Sequence, residues 1–452
     1  MKHIIDNAKK FYFIGIGGIG MSSIAQYMHA KGKIITGSDL NLNSSVKQLM
    51  ALGLKINISH SIQNITDDID VVVTSSAIRD NNIELIYAQK KNIPVIKRYQ
   101  LLSHIINEKK SIAIAGSHGK TTTTSLCASL FKEAGLDPTA IMGGKLRNIN
   151  NNVMIGESEY FIAEADESDG GFLLLNPHIG VVTNIDNDHL GFYGNFENEK
   201  IAFRDFIESS SVKILNFDDP IIKQIKNDYK NCITYSITSK KADIYAYNIT
   251  VKDMKSFFDV KIGDRILENI EIGVIGLHNV SNALAVCAIA QESGIKESVL
   301  RKAFAEFKGV DRRFTYLGKY NNLDVYDDYA HHPNEIKATI SSAKLISNKV
   351  YAIFQPHRFS RTSYLMDDFS KSFKNIDKVF VLDVYSASEE PIDGINSLAL
   401  SEKINKVSGN AVYINNYESL KKHLDQIENK GVLTALGAGS ISQIAKKLVN
   451  DN

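Results

Sequence analysis

Residues 11–23 read FYFIGIGGIGMSS, and residues 111–124 read SIAIAGSHGKTTTT. Each stretch passes from a run of apolar residues through a glycine-containing turn into residues that suit a helix. A strand, a glycine turn and a helix in that order open a βαβ unit, which builds a parallel sheet covered by helices. The two stretches therefore predict an α/β protein with two separate strand-turn-helix openings.

Further strands of the same kind are expected along the rest of the chain. They lie at 71–74 and 94–96, at 112–115, 161–163 and 180–183, and at 350–354, 379–382 and 432–436. Between residues 233 and 272 polar and apolar side chains alternate, which suits antiparallel strands added to the middle group. A chain of 452 residues exceeds what one core serves, so about three domains are expected.

We predict an α/β fold of three domains. They are an N-terminal Rossmann-like parallel sheet in residues 1–107, a central P-loop-type α/β domain with added antiparallel strands in 108–310, and a C-terminal Rossmann-like α/β domain in 311–452.

Charge and cysteine content argue against several classes of function. The 52 Lys and Arg residues balance 51 Asp and Glu residues, which leaves no field to gather nucleic acid or anionic lipid. Cys127, Cys232 and Cys287 are widely spaced, which argues against a disulfide framework or a zinc site. The start of the chain lacks a signal-peptide pattern, and no apolar run approaches the ~18 residues of a membrane span. We expect a cytoplasmic protein without nucleic-acid partners or stable membrane association, as a monomer or weak homodimer.

The glycine turn at residues 15–20 is a candidate diphosphate site. Glycines let the backbone approach a diphosphate, and the following helix presents amide donors to it. Ser38 and Asp39 end the next strand, where an acid is placed to accept hydrogen bonds from ribose hydroxyls. A dinucleotide site and a tight turn without a ligand both remain open.

The turn at residues 116–122, GSHGKTT, is a second candidate phosphate loop. Its amides can cradle phosphates, Lys120 can reach the terminal ones, and Thr121 offers a hydroxyl to magnesium. Ile114 stands where the usual G-x-x-x-x-G-K-[ST] loop begins with glycine, so the generic pattern is not met.

Acids and amides at strand ends complete the middle group. Residues 164–169 read EADESD, and residues 186–189 read DNDH, each directly after a strand. Carboxylates at neighbouring strand ends suit divalent cations on nucleotide phosphates, although a solvated acidic loop looks similar. Asn279 and Asn282 precede an alanine-rich stretch at 283–290, where they cap a helix or contact a nucleoside.

In the last third, residues 327–333 read DDYAHHP and residues 355–361 read QPHRFSR, each after a strand. The guanidinium groups of Arg358 and Arg361 suit binding of a carboxylate or phosphate, and surface salt bridges are the alternative. A zinc site at His331 and His332 is disfavoured, because adjacent residues rarely face one metal.

Eight motifs occur in order along nearly the whole chain. They are GIGGIGMSS, GSHGKTTTT, EADESD with TNIDNDH, HNVSNALA, DRRF, DDYAHHPNE, QPHRFSRT and GAGSIS. Together they resemble the Mur ligase family, in particular its alanine-adding branch.

The resemblance implies a substrate and a set of roles. It implies ATP-dependent ligation of L-alanine to UDP-N-acetylmuramate through an acyl phosphate, with two magnesium ions and a C-terminal domain that closes over the site. It assigns catalysis to Lys120, Glu164, His189 and Arg313, and magnesium to Thr121, Glu164 and His189. It assigns ATP to Gly116, Ser117, His118, Gly119, Lys120, Thr121, Thr122, Asn279, Asn282, Arg313 and Asp328. It assigns the UDP-sugar to Gly15, Gly17, Gly18, Gly20, Ser38, Asp39, Ser75 and Ser76, and the amino acid or muramoyl group to Tyr329, His331, Arg358 and Arg361.

Three alternatives remain open. A related ligase attaches a preformed peptide to the same sugar, a nicotinamide oxidoreductase uses a glycine turn like that at residues 15–20, and a catalytically silent ATP-binding regulator shares the fold. Lys120, Thr121, Glu164 and His189 are all present, which argues against the silent regulator.

Overall fold

A computed structural model describes residues 2–451 of the protein, which form three β-sheets. The chain divides into two compact units. The first comprises the residues up to Ala246 with Val260–Leu267 and Ser281–Phe307, and the second comprises Tyr247–Asp259, Glu268–Val280 and the residues from Lys308 onward.

The first sheet is wholly parallel, with strand order β3-β2-β1-β4-β5. Its strands are β1 (Lys10–Ile14), β2 (Ile34–Ser38), β3 (Lys55–Asn57), β4 (Val71–Thr74) and β5 (Val95–Lys97), and its helices are α1 (Lys2–Asn7), α2 (Ile19–Ala30), α3 (Ser44–Ala51), α4 (Ile83–Lys90) and α5 (Arg98–Asn107). Strand β1 lies between β2 and β4, so the order in which successive strands are added to the sheet switches from one side of β1 to the other. Ligands of parallel sheets bind outside the carboxyl ends of strands at such a point.

The second sheet has ten strands in the order β15-β14-β13-β12-β11-β10-β6-β9-β7-β8. The strands are β6 (Lys110–Ala115), β7 (Thr139–Leu146), β8 (Asn151–Met154), β9 (Tyr160–Glu164), β10 (Ile179–Val182), β11 (Val212–Asn216), β12 (Cys232–Ser236), β13 (Ile244–Lys252), β14 (Lys255–Ile262) and β15 (Arg265–Ile272). The helices are α6 (Lys120–Glu133), α7 (Leu190–Tyr193), α8 (Phe196–Ser209), α9 (Pro220–Ile225), α10 (Leu277–Glu292) and α11 (Glu297–Ala305). Strand β6 lies between β10 and β9, again a point of reversal.

The expected antiparallel addition is correct for part of the range between residues 233 and 272. Strands β13, β14 and β15 are joined by two-residue turns, which only antiparallel neighbours allow. Strand β12, in contrast, runs parallel to both β11 and β13. Alternation of side chains reports one solvated face and does not report the direction of a strand, so it misled here.

The first and second sheets share one core within the first unit. Phe11 and Phe13 of β1 belong to the same buried cluster as Phe161 of β9. A polar contact joins the two layers as well, since Asn152 of β8, next to the second sheet's β7, donates to Ser23 of α2 at 2.7 Å. The turns that follow β1 and β6 therefore belong to a single packed body.

The third sheet lies in the second unit and has the order β16-β17-β21-β18-β19-β20. Its strands are β16 (Thr315–Tyr320), β17 (Leu323–Asp328), β18 (Val350–Phe354), β19 (Lys378–Val381), β20 (Ala411–Tyr413) and β21 (Gly431–Leu436), and only β16 is antiparallel to its neighbour. Its helices are α12 (Pro333–Lys344), α13 (Phe359–Tyr364), α14 (Met366–Ser372), α15 (Ser397–Ser408), α16 (Tyr417–Leu424) and α17 (Ile441–Asn450). Apolar cores cover both faces of the sheet.

Within residues 2–451, no helix has both the length and the apolar character that crossing a membrane requires.

Candidate active site

The glycine turn after β1 is fixed by a hydrogen bond to the Asp39 carboxylate at the end of β2. The Gly17 amide donates to the Asp39 carboxylate at 2.8 Å, and the Asn41 amide donates to it at 3.0 Å. A Cβ on Gly17 would come within 2.7 Å of Asn43 and Val46, so only glycine fits there. Gly18 is the N-cap of α2, whose first amides point out of the turn. Asp39 therefore shapes the diphosphate loop that the sequence predicts.

The serines predicted to contact the sugar nucleotide have different environments. Ser38 is fully buried and donates to the Glu84 carboxylate at 2.6 Å. Glu84 is also buried and accepts from Tyr12 at 2.9 Å and from Asn64 at 2.7 Å. The Ser38 hydroxyl thus faces the protein interior. Ser75 is half-buried and Ser76 is exposed, so these two serines remain accessible.

The turn after β6 requires two of its glycines. Gly116 has φ +128°, and a Cβ there would overlap the Thr183 hydroxyl. Gly119 has φ +86°, and a Cβ there would come within 2.7 Å of the Asn282 amide oxygen. Both backbone conformations are ones that glycine adopts without strain. A phosphate loop therefore forms although Ile114 replaces the usual first glycine.

The turn after β10 braces this loop. Ser117 Oγ donates to the Asp186 carbonyl at 3.2 Å and accepts from the Asp186 amide at 2.8 Å. His118 Nε2 lies 2.9 Å from the Asp186 carboxylate, and the His118 amide donates to the Asn184 side chain at 2.8 Å. Both predicted loop residues thus hold the loop against its neighbour.

Lys120 opens α6 and is paired with Glu167. Its Nζ lies 2.7 and 2.8 Å from the two Glu167 oxygens and donates to the Gly116 carbonyl at 2.6 Å. Burial by itself would lower the pKa of Lys120, but the carboxylates of Glu167, Asp166 and Glu164 outweigh it and raise the pKa above its usual value. Lys120 therefore remains a cation, as phosphate binding requires.

The structure places the predicted cation ligands in two neighbouring groups. Thr121 Oγ1 donates to Glu164 at 3.1 Å, and Glu164 also accepts from the Gly143 amide. His189 Nε2 lies 3.3 Å from Glu167, so its nearest carboxylate is not Glu164. Burial would lower the pKa of His189, but Glu167 and Asp188 raise it above its usual value. Oxygen donors of this kind, beside the start of α6, fit a hard divalent cation bound with nucleotide phosphates.

Arg98 connects the start of α2 with the EADESD acids and was not predicted from the sequence. A Cβ on Gly20 would come within 3.2 Å of its side chain, which places Arg98 against the start of α2. Its Nη2 lies 3.3 Å from Asp166 and 3.5 Å from Asp169. Burial would raise the pKa of Asp166, but Lys120 and Arg98 hold it below its usual value. A lone arginine at the start of a helix carries no motif that would have identified it.

The expected cap at Asn279 and Asn282 is wrong. Helix α10 begins at Leu277, directly after Gly276 with φ +107°, so both asparagines lie within the helix. The Asn279 side chain donates to the Ile275 carbonyl at 2.7 Å. The sequence prediction begins the helix at the alanine-rich run from residue 283. The first turns of α10 precede this run and contain few strong helix formers, so they are missed. Nucleoside contact remains the prediction for both residues.

In the second unit, Asp328 organises the DRRF turn. Its carboxylate accepts from the Phe314 amide at 2.9 Å and from the Ala330 amide at 2.8 Å. Arg312 donates to the Gly437 carbonyl at 2.5 Å and is engaged within the fold. Arg313 pairs only loosely with Glu335, at 3.7 Å. Arg313 is therefore the less engaged of the two arginines within the second unit.

His331, Arg358 and Arg361 lie around His357, which the sequence prediction omitted, and Tyr329 contacts His331. His331 and His357 have ring centroids 6.1 Å apart, and Arg361 Nη1 lies 3.5 Å from His357 Nδ1. Burial, reinforced by the charges of His331, Arg361, Arg358 and Arg312, lowers the pKa of His357 to about 3. A neutral imidazole among guanidinium groups suits a ligand that carries both a carboxylate and an amine. Its position inside the QPHRFSR motif was the available signal.

Two strand-turn-helix loops in one packed body, joined by Arg98 and the EADESD acids, are typical of an enzyme that binds nucleotide phosphates. Models of known families agree with this class. "Mur ligase family, catalytic domain" matches residues 10–110, "Mur ligase middle domain" matches residues 114–290, and "Mur ligase, glutamate ligase domain" matches residues 312–439. The chain belongs to the Mur ligase family and is an ATP-dependent ligase.

Individual relatives align along the whole chain. The UDP-N-acetylmuramate–L-alanine ligase of Aquifex aeolicus is 42% identical over an alignment of 453 positions that covers 99% of this chain and 98% of the relative. That of Rickettsia bellii is 43% identical over an alignment of 470 positions that covers 99% of this chain and 97% of the relative. The crystal structure of the UDP-N-acetylmuramate–alanine ligase from Thermotoga maritima matches with a TM-score of 0.83 at 27% identity and covers 98% of both chains. The predicted family and α/β fold are confirmed, and the oxidoreductase alternative is set aside.

Proposed function

We propose that this protein ligates L-alanine to the carboxylate of UDP-N-acetylmuramate with cleavage of ATP to ADP and phosphate, a step of peptidoglycan biosynthesis. The observation that carries the proposal is the link between the two loops through the EADESD acids. Arg98 contacts both the start of α2 and Asp166, and Glu167 of the same acidic turn pairs with Lys120. The sequence identity of 42–43% to two L-alanine ligases, over 99% of this chain, supports the choice of amino acid.

The chemistry follows from the poor reactivity of a carboxylate. An amine cannot expel oxide from a carboxylate, so the carboxylate must first be given a leaving group. The muramate carboxylate attacks the γ-phosphorus of ATP, the bond from that phosphorus to the β–γ bridging oxygen breaks, and ADP leaves. The amine of L-alanine then adds to the acyl phosphate, and inorganic phosphate leaves as the amine loses a proton. Lys120 and Arg313 stabilise the negative charge of the transferring phosphoryl group.

We propose two magnesium ions, which would neutralise phosphate charge. Thr121 and Glu164 would hold one of them, and His189 the other. The residues that touch these donors provide the structural support, since Gly143 orients Glu164 and Glu167 stands beside His189.

Each domain has a proposed role. Residues 1–107 would bind the UDP-sugar, residues 108–310 would bind ATP, and residues 311–452 would close over the site and bind the amino acid. Closure would keep water from the acyl phosphate. Tyr329, His331, Arg358 and Arg361 would contact the amino acid or the muramoyl group, together with His357. We further propose that the protein acts in the cytoplasm as a monomer or weak homodimer.

An ADP-release assay tests the proposal. Purified protein with ATP, Mg²⁺ and UDP-N-acetylmuramate should release more than one equivalent of ADP only after L-alanine is added, and a Lys120→Met variant should not respond. A matched reaction receives a preformed peptide in place of L-alanine. Release with the peptide alone would assign the chain to the peptide-attaching ligases, and release with neither would refute the proposal.

A further inference from the structure

Helix α8 carries a carboxylate on its buried face. The buried positions of this helix are Glu199, Ala202, Phe203, Phe206 and Ile207. They follow the spacing of a single helical stripe, and every member except Glu199 is apolar. Glu199 is fully buried, whereas Glu197 on the same helix has a side chain that is 75% exposed.

Glu199 has no compensating contact in the part of the chain that is described. Both carboxylate oxygens are inaccessible to solvent and lack a hydrogen-bond partner among residues 2–451. Burial raises the pKa of Glu199 to about 7, and the carboxylates of Glu167, Asp188 and Asp186 reinforce the rise against the opposing effect of His189. A buried carboxylate without a partner is strongly unfavourable, so this position requires a compensating reason.

The groups that act on Glu199 are those of the cation region. Glu167 lies 3.3 Å from His189, and Asp188 lies 3.6 Å from it. Tyr193 donates to the Glu167 carbonyl at 2.6 Å, and the charges of Glu167 and Glu199 both raise the pKa of Tyr193. Lys120 already neutralises Glu167. The carboxylate of Glu199 therefore adds negative charge within electrostatic range of a region in which a bound cation would be its natural counter-ion.

We propose that Glu199 is a further cation-binding carboxylate, which contributes its charge to the divalent ion on the His189 side of the site. The inference rests on the proposed function in one respect, since the ion is taken to be one that accompanies ATP. The sequence indicates Thr121, Glu164 and His189 as ligands and does not indicate Glu199, which only the structure identifies.

Metal binding by isosteric variants tests the proposal. Mn²⁺ is titrated into the full-length protein with saturating ADP, and free Mn²⁺ is followed by electron paramagnetic resonance. Glu199→Gln should weaken the affinity of the weaker-binding ion about 10–100-fold, the range expected when a group that supports a metal site is lost. Glu197→Gln, the same change at an exposed position of the same helix, should leave the titration unchanged. Glu199→Asp, which keeps the charge, should recover part of the affinity.

Thermal unfolding supplies a second measurement. At pH 8, above the pKa of Glu199, and without a cation, Glu199→Gln should unfold at a higher temperature than the unmodified protein, because an unpaired buried charge is removed. The increase in midpoint that Mn²⁺ causes should then be smaller for the variant. A residue with a merely structural role would instead lower the midpoint and leave the cation effect intact.

The possible outcomes separate this inference from the proposed function. If the unmodified protein releases ADP on addition of L-alanine while Glu199→Gln binds Mn²⁺ as the unmodified protein does, only the role of Glu199 is refuted. If Mn²⁺ binding depends on Glu199 but L-alanine does not stimulate ADP release, the cation site stands and the proposed reaction fails.

Discussion

Replacement of Lys120 should affect stability as well as catalysis, because this lysine neutralises a buried acid. Glu167 is fully buried, and its two oxygens lie 2.7 and 2.8 Å from the lysine Nζ. Lys120→Met would leave Glu167 with His189 at 3.3 Å as its remaining cationic partner. The variant should therefore unfold more easily even when no nucleotide is present.

The size of the effect follows from the burial of the pair. Removing one member of a buried ion pair costs about 3–5 kcal/mol, and the remaining His189 contact places this case near the lower end, at roughly 3 kcal/mol. A domain of this size shifts its midpoint by ~2–4 °C per kcal/mol, so the expected fall is about 6–12 °C. Neutralising the acid as well, in Lys120→Met/Glu167→Gln, should restore most of this stability.

Thermal unfolding followed by circular dichroism provides the measurement, and ADP release serves as the parallel assay. The double variant should regain its midpoint yet remain inactive, since the ammonium group of Lys120 is still missing from the phosphate loop. The two substitutions should be coupled by about 2 kcal/mol beyond their sum, as expected for residues in direct contact. A Lys120→Met variant as stable as the parent, or a double variant no more stable than the single one, would refute the reasoning.

Three further changes have expected outcomes. Arg98→Met should raise the KM for both ATP and the UDP-sugar about 10–100-fold, since a lost hydrogen bond to a charged group costs roughly 1.5–3 kcal/mol. A rise confined to one substrate in initial-rate kinetics would contradict its position between the start of α2 and the EADESD acids. His357, with its pKa near 3, resists a proton that the unfolded chain accepts below about pH 6.5, so the free energy of unfolding should fall by about 1–2 kcal/mol at pH 5 for this half-buried group. Urea titrations at pH 7 and pH 5 measure this fall in the free energy of unfolding, and His357→Gln should make it smaller. A fall of the same size in the variant would exclude His357 as its cause. Asp328→Asn should lower the unfolding free energy by about 1–3 kcal/mol, because an amide oxygen cannot replace both carboxylate oxygens that accept from Phe314 and Ala330, whereas Asp324→Asn on the same strand should be nearly neutral in the same titration.

The sequence by itself determined the α/β class, the two phosphate loops and the family. Strand, glycine turn and helix follow from contacts between near neighbours, so the backbone around Gly17 and Lys120 can be inferred without knowledge of the remaining chain. The same locality places EADESD, DDYAHHP and QPHRFSR after strands, and parallel strands bring their carboxyl ends to one edge of a sheet.

Only the tertiary structure decided which of these side chains meet. Strand β9 pairs beside β6, which brings residues 164–167 to Lys120, but the path of the chain after β9 selects Glu167 as its partner and leaves Glu164 to Thr121. Arg98 and Glu199 carry no motif, because their environments are formed by elements distant in the sequence. A charge acquires its role from the groups packed around it, and that packing exists only once the sheets and helices have assembled.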